Sequence, residues 1–172
     1  MNSNNNISSD ATIGQNVTIG SFNIIEHGVV IGDNVTIGNY CLIKSGVTIG
    51  DGTELKSYVE LRKDTVIGKD CYIDSRVSSS GSCTIGNKVT LRYDSIIARG
   101  VEIGDNTYVC PRVMTNNLDT EKTAIGEAKI GKDCFIGTNA VLQHGIEIEN
   151  ETIIGSMAYV NKDSIRGTYI GI

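Results

Sequence analysis

The chain has 172 residues, of which 20 are glycine, one is proline, none is tryptophan and 5 % are aromatic. Fifteen Lys and Arg against twenty Asp and Glu leave a net charge of −5, which argues against a duplex nucleic-acid surface, since that needs clustered cations. Five cysteines without a CxxC pair speak against a disulfide framework or a Cys-rich zinc site, and two histidines cannot build a three-histidine metal centre within one chain, so no metal is expected.

The first ten residues, MNSNNNISSD, are polar and carry neither the basic nor the apolar segment of a secretory signal. No later run approaches the ~18–20 apolar residues of a membrane span. Residues 1–10 read as a flexible polar N-terminus, and the chain is expected to be cytoplasmic.

From Ile13 a period of six takes over. Stepping by six from Ile13 to Val109, sixteen of seventeen positions are aliphatic, Ser79 being the exception; Ile130, Ile136, Leu142, Ile148, Ile154 and Val160 continue the column after a break. Ile, Leu and Val supply 45 residues, most of them β-branched, and such side chains favour strands. Two residues earlier in each hexad, from Ala11 to Val113, only Ala, Val, Cys, Thr and Ser occur, apart from Asn23. Residues two apart share a strand face, so each hexad directs one large and one small side chain inward. Cys41, Cys71, Cys83 and Cys134 fall in the small column and read as compact core residues rather than redox groups.

Gly14, Gly32, Gly50, Gly68, Gly86 and Gly104 lie eighteen apart, so three hexads make one triangular coil with glycine along one edge, at a sharp bend or a close backbone approach. Glu26, Lys44 and Arg62 mark another edge as a solvated charge ladder. Eight coils at ~4.8 Å per rung give a prism on the order of 38 Å long. Between Val113 and Ala128 the hexads stop. The polar segment 114–127 must leave the coil as a loop, and such loops commonly carry function; a tolerated insertion is the alternative.

This pattern resembles the hexapeptide-repeat acyltransferases over residues 11–165, with 166–172 as a short tail. The resemblance implies an all-β, left-handed parallel β-helix of about eight coils with one protruding loop near 114–127, assembled as a homotrimer, with acetyl-CoA as donor co-substrate. In the sugar O-acetyltransferase branch the loop carries a Thr-His-Pro-Leu-Asp-like run whose histidine is the general base. Here the run is Thr115-Asn116-Asn117-Leu118-Asp119, with Asn116 in place of that histidine. Met114-Thr115-Asn116 is similar to the branch that N-acetylates nucleotide-linked amino sugars. An amine with a free lone pair attacks unaided, whereas a hydroxyl needs a base, and asparagine orients an amine by hydrogen bonds.

The resemblance thus implies acetyl transfer to the amino group of a nucleotide-linked amino-deoxysugar, with Asn116 catalytic and Thr115 and Asn117 contacting the acceptor. Arg92 and Arg112 are expected at its diphosphate. Ile136-Gly137-Thr138-Asn139-Ala140 and the segment Gly155 to Asp163 resemble the family's donor-binding coils. They suggest Gly137 and Thr138 as main-chain oxyanion donors, with Ser156 and Lys162 at the coenzyme. The family's Gly-x-Pro-Ala-Lys tail has no counterpart in Ile170-Gly171-Ile172.

His144, in Leu142-Gln143-His144-Gly145, stands as a backup general base. His27, in Ile25-Glu26-His27-Gly28, lies too far along the axis to share a site with Asn116 and reads as a surface residue. Two further readings stay open: a sugar O-acetyltransferase using His144, and a non-catalytic trimeric scaffold. A carbonic anhydrase on the same fold lacks its histidines.

Overall fold

Each hexad becomes one side of a triangular coil. The computed structural model describes residues 4–119, 121–123 and 126–171; the expected loop residues Thr120, Ala124 and Ile125, together with Met1–Ser3 and Ile172 of the two expected terminal segments, lie outside the described residues. Among these, twenty-six two-residue strands stack in register into three parallel sheets. Sheet A holds nine strands from Asn6–Ile7 to Tyr159–Val160, sheet B eight from Thr12–Ile13 to Glu147–Ile148, and sheet C nine from Thr18–Ile19 to Tyr169–Ile170. The fold is a left-handed parallel β-helix of about eight turns. No helix among the described residues is long and apolar enough to cross a membrane.

From Asn6–Ile7 to Tyr159–Val160, the second residue of each strand points inward and the first outward. Ile25, Ile31, Ile37, Ile43 and Ile49 are each at most 1 % exposed, as are Val29, Val35 and Val47 of the small column. Burying a large aliphatic side chain contributes about 1.5–3 kcal/mol, so the prism is held by its axial column. The cysteines are buried free thiols, and burial pushes those of Cys41, Cys71, Cys83, Cys110 and Cys134 up. The polar members of the small column tie successive corners together: Asn23 donates to the Gly38 carbonyl at 2.9 Å, Thr53 to that of Gly68 at 2.8 Å and Cys71 to that of Gly86 at 3.0 Å.

The two candidate roles for glycine separate. The turn at most corners uses a left-handed residue three positions after the inward aliphatic, and Asn, Asp and even Phe22, Tyr40 and Tyr58 adopt it, with φ between 55° and 63° at Asn16, Phe22, Asn34, Tyr40, Tyr58, Asp64 and Asp70. The Gly14-to-Gly104 column is not left-handed. It sits where stacked coils touch: a methyl on Gly68 would lie 2.5 Å from the Gly86 oxygen. Beside this column runs an Asx ladder invisible in the hexad pattern. The Asp33 carboxylate accepts the Gln15 N–H at 2.6 Å, Asn87 accepts that of Lys69 at 2.9 Å, and Asp105 accepts that of Asn87 at 2.8 Å.

This ladder predicts an acid response. Main-chain and Lys132 hydrogen bonds hold Asp105 below the ordinary carboxylate range, and Lys69 does the same for Asp51. The unfolded chain therefore binds more protons in acid, and the stabilisation, present above the unfolded pKa near ~4, is lost as pH falls through the folded value. Melting temperature measured from pH 7 to 3 is expected to fall through that window, and to fall less in Asp105→Asn. A flat profile would count against the ladder.

The chain departs from the hexad reading at three places. Met114–Thr115 is still a strand of sheet A, paired with Ile96 below and Val141–Leu142 above, so the coil continues beyond Val113. Register between rungs then jumps from 18 to 27, with Glu102 opposite Lys129, so the excursion runs from 116 to 128 and carries nine residues more than an ordinary corner. At the ends, Asn6–Ile7 and Tyr169–Ile170 pair into sheets A and C, so the segments read as a polar start and a short tail each contribute a strand.

Candidate functional site

Sheet A is bounded by two edges, and the candidate residues sort onto them. The edge leading to sheet B, where the loop leaves, carries Asn116, Asn117, His144 and Lys162. The edge arriving from sheet C carries Arg92, Arg112, Gly137, Thr138 and Ser156. Between them lie the outward Met114, Val141 and Tyr159 of sheet A, of which Met114 and Tyr159 are exposed.

On the loop edge, the longer register places Asn117 one rung below His144 and His144 one rung below Lys162, about 4.8 Å apart per rung. Asn116 donates through Nδ2 to Gln143 Oε1 at 3.2 Å, and Gln143 Nε2 donates to the Tyr159 hydroxyl at 2.6 Å. The Asn116 amide is thus held by a side-chain chain crossing two rungs, with its oxygen left to accept. His144 is half-buried, and its Nδ1 is enclosed without a hydrogen-bond partner among the described residues. A buried polar atom without a partner costs about 1–3 kcal/mol and calls for an explanation.

The loop closes on itself and on the coil. Asp119 Oδ1 accepts the N–H groups of Glu121 at 2.9 Å and Thr123 at 2.8 Å, and the Gly126 carbonyl accepts the Gly145 N–H at 3.1 Å. The Glu127 side chain lies across Gly100, whose φ of +77° keeps that approach open. Gly126, Glu127, Asn117 and Arg99 enclose a recess of about 60 Å³.

Thr115 is placed differently from its expected role at an acceptor. It is 3 % exposed, fills the inward aliphatic position, and its Oγ1 accepts the Ala98 N–H at 2.7 Å. It shapes the corner from inside.

On the other edge, Arg92 is pinned between Asp74 at 3.0 Å and the Tyr108 hydroxyl at 2.7 Å, and Arg112 is an exposed turn residue with φ of 59°. Neither shares an edge with the loop of its own chain. The Gly137 N–H is spent on the Ile154 carbonyl at 2.8 Å, and Gly137 is buried so tightly that a methyl there would lie 2.4 Å from the Ser156 nitrogen. Thr138 lies beside the Cys110 thiol and favours its ionised form against the burial that pushes that thiol up. Of the two main-chain donors suggested by the sequence, Thr138 is the one not tied into the ladder. Ser156 and Lys162 are exposed at successive corners. His27 is exposed on the loop edge five rungs below Asn117, about 24 Å away.

The sequence reading missed Gln143 and Tyr159, whose connection to Asn116 depends on the 27-residue register, and Arg99, which stands on the loop edge.

A prism of stacked hexads with an excursion from one edge is the architecture of a transferase family. The model of the bacterial transferase hexapeptide (six repeats) matches residues 10–45, 31–63 and 127–162, and the chain belongs to that family. Among curated proteins it is 29 % identical over 94 residues to the bifunctional protein GlmU of Carboxydothermus hydrogenoformans, covering 55 % of this chain and 21 % of that one. Among solved structures it superposes on the UDP-N-acetylglucosamine acyltransferase of Francisella novicida with a TM-score of 0.71 at 17 % identity, covering 95 % of this chain and 62 % of the other. The polySia specific acetyltransferase NeuO superposes with a TM-score of 0.56 at 15 % identity, covering 98 % and 81 %. The chain spans about a fifth of the curated relative and under two thirds of the Francisella structure, and at these identities the structural likeness is one of fold.

Proposed function

We propose that the protein is an acyl-CoA-dependent acyltransferase that places an acyl group, acetyl in the first instance, on the amino group of a nucleotide-linked amino sugar. The observation that carries this reading is His144. Its Nδ1, without a hydrogen-bond partner among the described residues, stands on the edge from which the loop leaves, one rung from Asn117, in a chain of the hexapeptide transferase family. The named relatives act on nucleotide-linked or polymeric sugars, which supports a sugar acceptor.

In this scheme the amine nitrogen attacks the thioester carbonyl, and the coenzyme thiolate leaves as the tetrahedral intermediate collapses. His144 takes the proton that the amine must lose, Thr138 on the opposite edge of a neighbouring copy in the proposed homotrimer faces the developing oxyanion, and the Asn116 oxygen accepts an amine N–H while Gln143 and Tyr159 hold the amide still. Lys162 and, from that neighbouring copy, Ser156 meet the coenzyme. Asparagine has no proton to exchange at neutral pH, so it orients and His144 does the proton transfer, which reverses the weight that the sequence gives the two.

Assembly as a homotrimer in the cytoplasm fits this reading. The stacked Phe22, Tyr40 and Tyr58, with centroids 4.9 and 5.1 Å apart, and the exposed Ile24, Ile96 and Met114 of sheet A offer apolar surface beside both edges.

A second reading, transfer to a sugar hydroxyl, is favoured by the same histidine, because a hydroxyl depends on a base more than an amine does. Thiol release from acetyl-CoA, measured across matched nucleotide sugars bearing an amine or only hydroxyls, tests both. Release with the amino sugars and an amide product is expected; acylation confined to hydroxyl sugars replaces the first reading with the second, and no turnover with either set overturns both. Asn116→Ala is expected to raise the KM for the amine acceptor about tenfold, the worth of roughly one hydrogen bond, with a smaller effect on kcat. An unchanged KM would remove Asn116 from the acceptor site.

A further inference from the structure

The loop edge carries a second recess, running from the first to the fifth rung below the loop. It measures about 410 Å³ and is lined by Glu26, Lys44, Glu60, Arg62, Lys63 and Arg99, with Ser45 beside them. Its charges do not cancel. Glu26 takes Lys44 at 2.6 Å and Glu60 takes Arg62 at 2.9 Å. Lys63 has only the exposed Asp64 at 3.9 Å, and Arg99 makes no ion pair among the described residues, Glu127 in the adjoining recess included. Two cations are left facing one cavity on a chain whose net charge is −5.

The coil between them carries no large side chain at this edge. Lys63 and Arg99 stand in the same edge column two rungs apart, about 9.6 Å, and the intervening rung is Ser78–Ser82 with Gly81 in place of a side chain. Gly81 is buried, has φ of +103°, and a methyl on it would lie 3.0 Å from the Lys63 carbonyl oxygen. Ser79, the break in the aliphatic column between Ile13 and Val109, turns its hydroxyl to the Arg62 N–H at 3.1 Å and to Thr65 Oγ1 at 2.8 Å, fixing the Arg62–Lys63 corner from inside. Lys63 and Arg99 thus flank a rung of small residues, Lys63 with only the 3.9 Å contact to Asp64 and Arg99 without an ion pair among the described residues.

We propose that Lys63 and Arg99 form a subsite for a diphosphate, each cation taking one phosphoryl group and Arg99 offering a bidentate fork. Resting on the function proposed above, the diphosphate is that of the nucleotide-linked acceptor. Arg99 lies one rung below Asn117 and two below His144, so an anchored diphosphate directs the sugar along the edge toward Asn116. This places the phosphate contact on the loop's own edge instead of at Arg92 and Arg112.

Calorimetric titration of the full chain with inorganic pyrophosphate, UDP and coenzyme A tests the assignment. Pyrophosphate and UDP are expected to bind, with affinity at least tenfold lower in Arg99→Ala, lower again in the Lys63→Ala, Arg99→Ala double variant, and unchanged in Lys129→Ala, whose lysine is exposed on sheet B. Coenzyme A binding is expected to be indifferent to Arg99. No binding of pyrophosphate or UDP to the parent protein, or equal binding to parent and double variant, would overturn the subsite. Loss of coenzyme A binding alone in Arg99→Ala would overturn its assignment to the acceptor. Arg99-dependent pyrophosphate binding in a protein that transfers no acyl group would uphold the subsite and overturn the activity reading, so the two fail separately.

Discussion

His144→Ala is expected to lower kcat/KM for acyl transfer by about 10²–10⁴, the usual worth of a positioned general base, while leaving the fold intact. The structural part follows from what His144 does not do: it is half-buried in a corner, its Nδ1 has no partner to lose, and the strand before it, Val141–Leu142, is secured by its own ladder to Met114–Thr115 and Tyr159–Val160. Circular dichroism should therefore match the parent protein, and the melting temperature should not fall below it. The kinetic part has a pH signature. With an amine acceptor, raising pH supplies the free base without help, so the variant should recover toward parent activity as pH approaches the amine's own pKa. With a hydroxyl acceptor no such recovery is available in the accessible range. Full activity in His144→Ala at neutral pH would remove the histidine from the chemistry, and a deficit that persists at high pH with an amino sugar would point to positioning instead of proton transfer.

The sequence carried the repeat and therefore the prism. A period of six with alternating large and small inward positions has one economical solution, three-sided coils, and the buried column from Ile25 to Val160 follows it. What it obscured were contacts created by a change of register. Thr115 breaks the aliphatic column, so the hexad pattern alone ends at Val113; the residue nevertheless faces the core, because its hydroxyl accepts the Ala98 N–H and its strand is still paired. Once the next rung stands 27 residues away, Asn116 meets Gln143 and Asn117 underlies His144, juxtapositions that an eighteen-residue ruler places elsewhere. The glycine column was legible as a bend or a close approach but not as which, because both favour the smallest residue; only the backbone angles separate them. Gly137 was attractive as an oxyanion donor by resemblance, yet its N–H belongs to the parallel ladder, a commitment that local sequence does not record.

Gly68→Ala is expected to cost far more stability than the addition of one methyl group elsewhere. A methyl at Gly68 would meet the Gly86 oxygen at 2.5 Å, the Gly86 carbonyl carbon at 2.6 Å and the Asn87 nitrogen at 2.8 Å. All three are backbone atoms of the next coil, pinned by the Gly68 N–H to Ile85 carbonyl and Gly86 N–H to Ile103 carbonyl bonds, both 2.8 Å. No rotamer change relieves the clash, so the rungs must part. Overpacking in a core typically costs about 1–3 kcal/mol, and with backbone on the receiving side the loss is expected at or above about 3 kcal/mol. For a chain of this length that lowers the melting temperature by roughly 10 °C.

Gly52→Ala is the matched control. Its φ is +69° and its methyl would meet only the Asp70 carboxylate oxygen within 3 Å, a side chain that can rotate away. Its cost should stay near the ~1–2 kcal/mol of a left-handed non-glycine residue, which Asn16, Tyr40 and Asp64 already bear in this fold. Because a solenoid transmits strain only to neighbouring coils, amide exchange in Gly68→Ala should accelerate first around Val66–Ile67 and Thr84–Ile85, with the rungs near His144 protected as before. Equal melting temperatures for the two variants would show that coil spacing does not reject a side chain at this edge, and the glycine column would then need another cause.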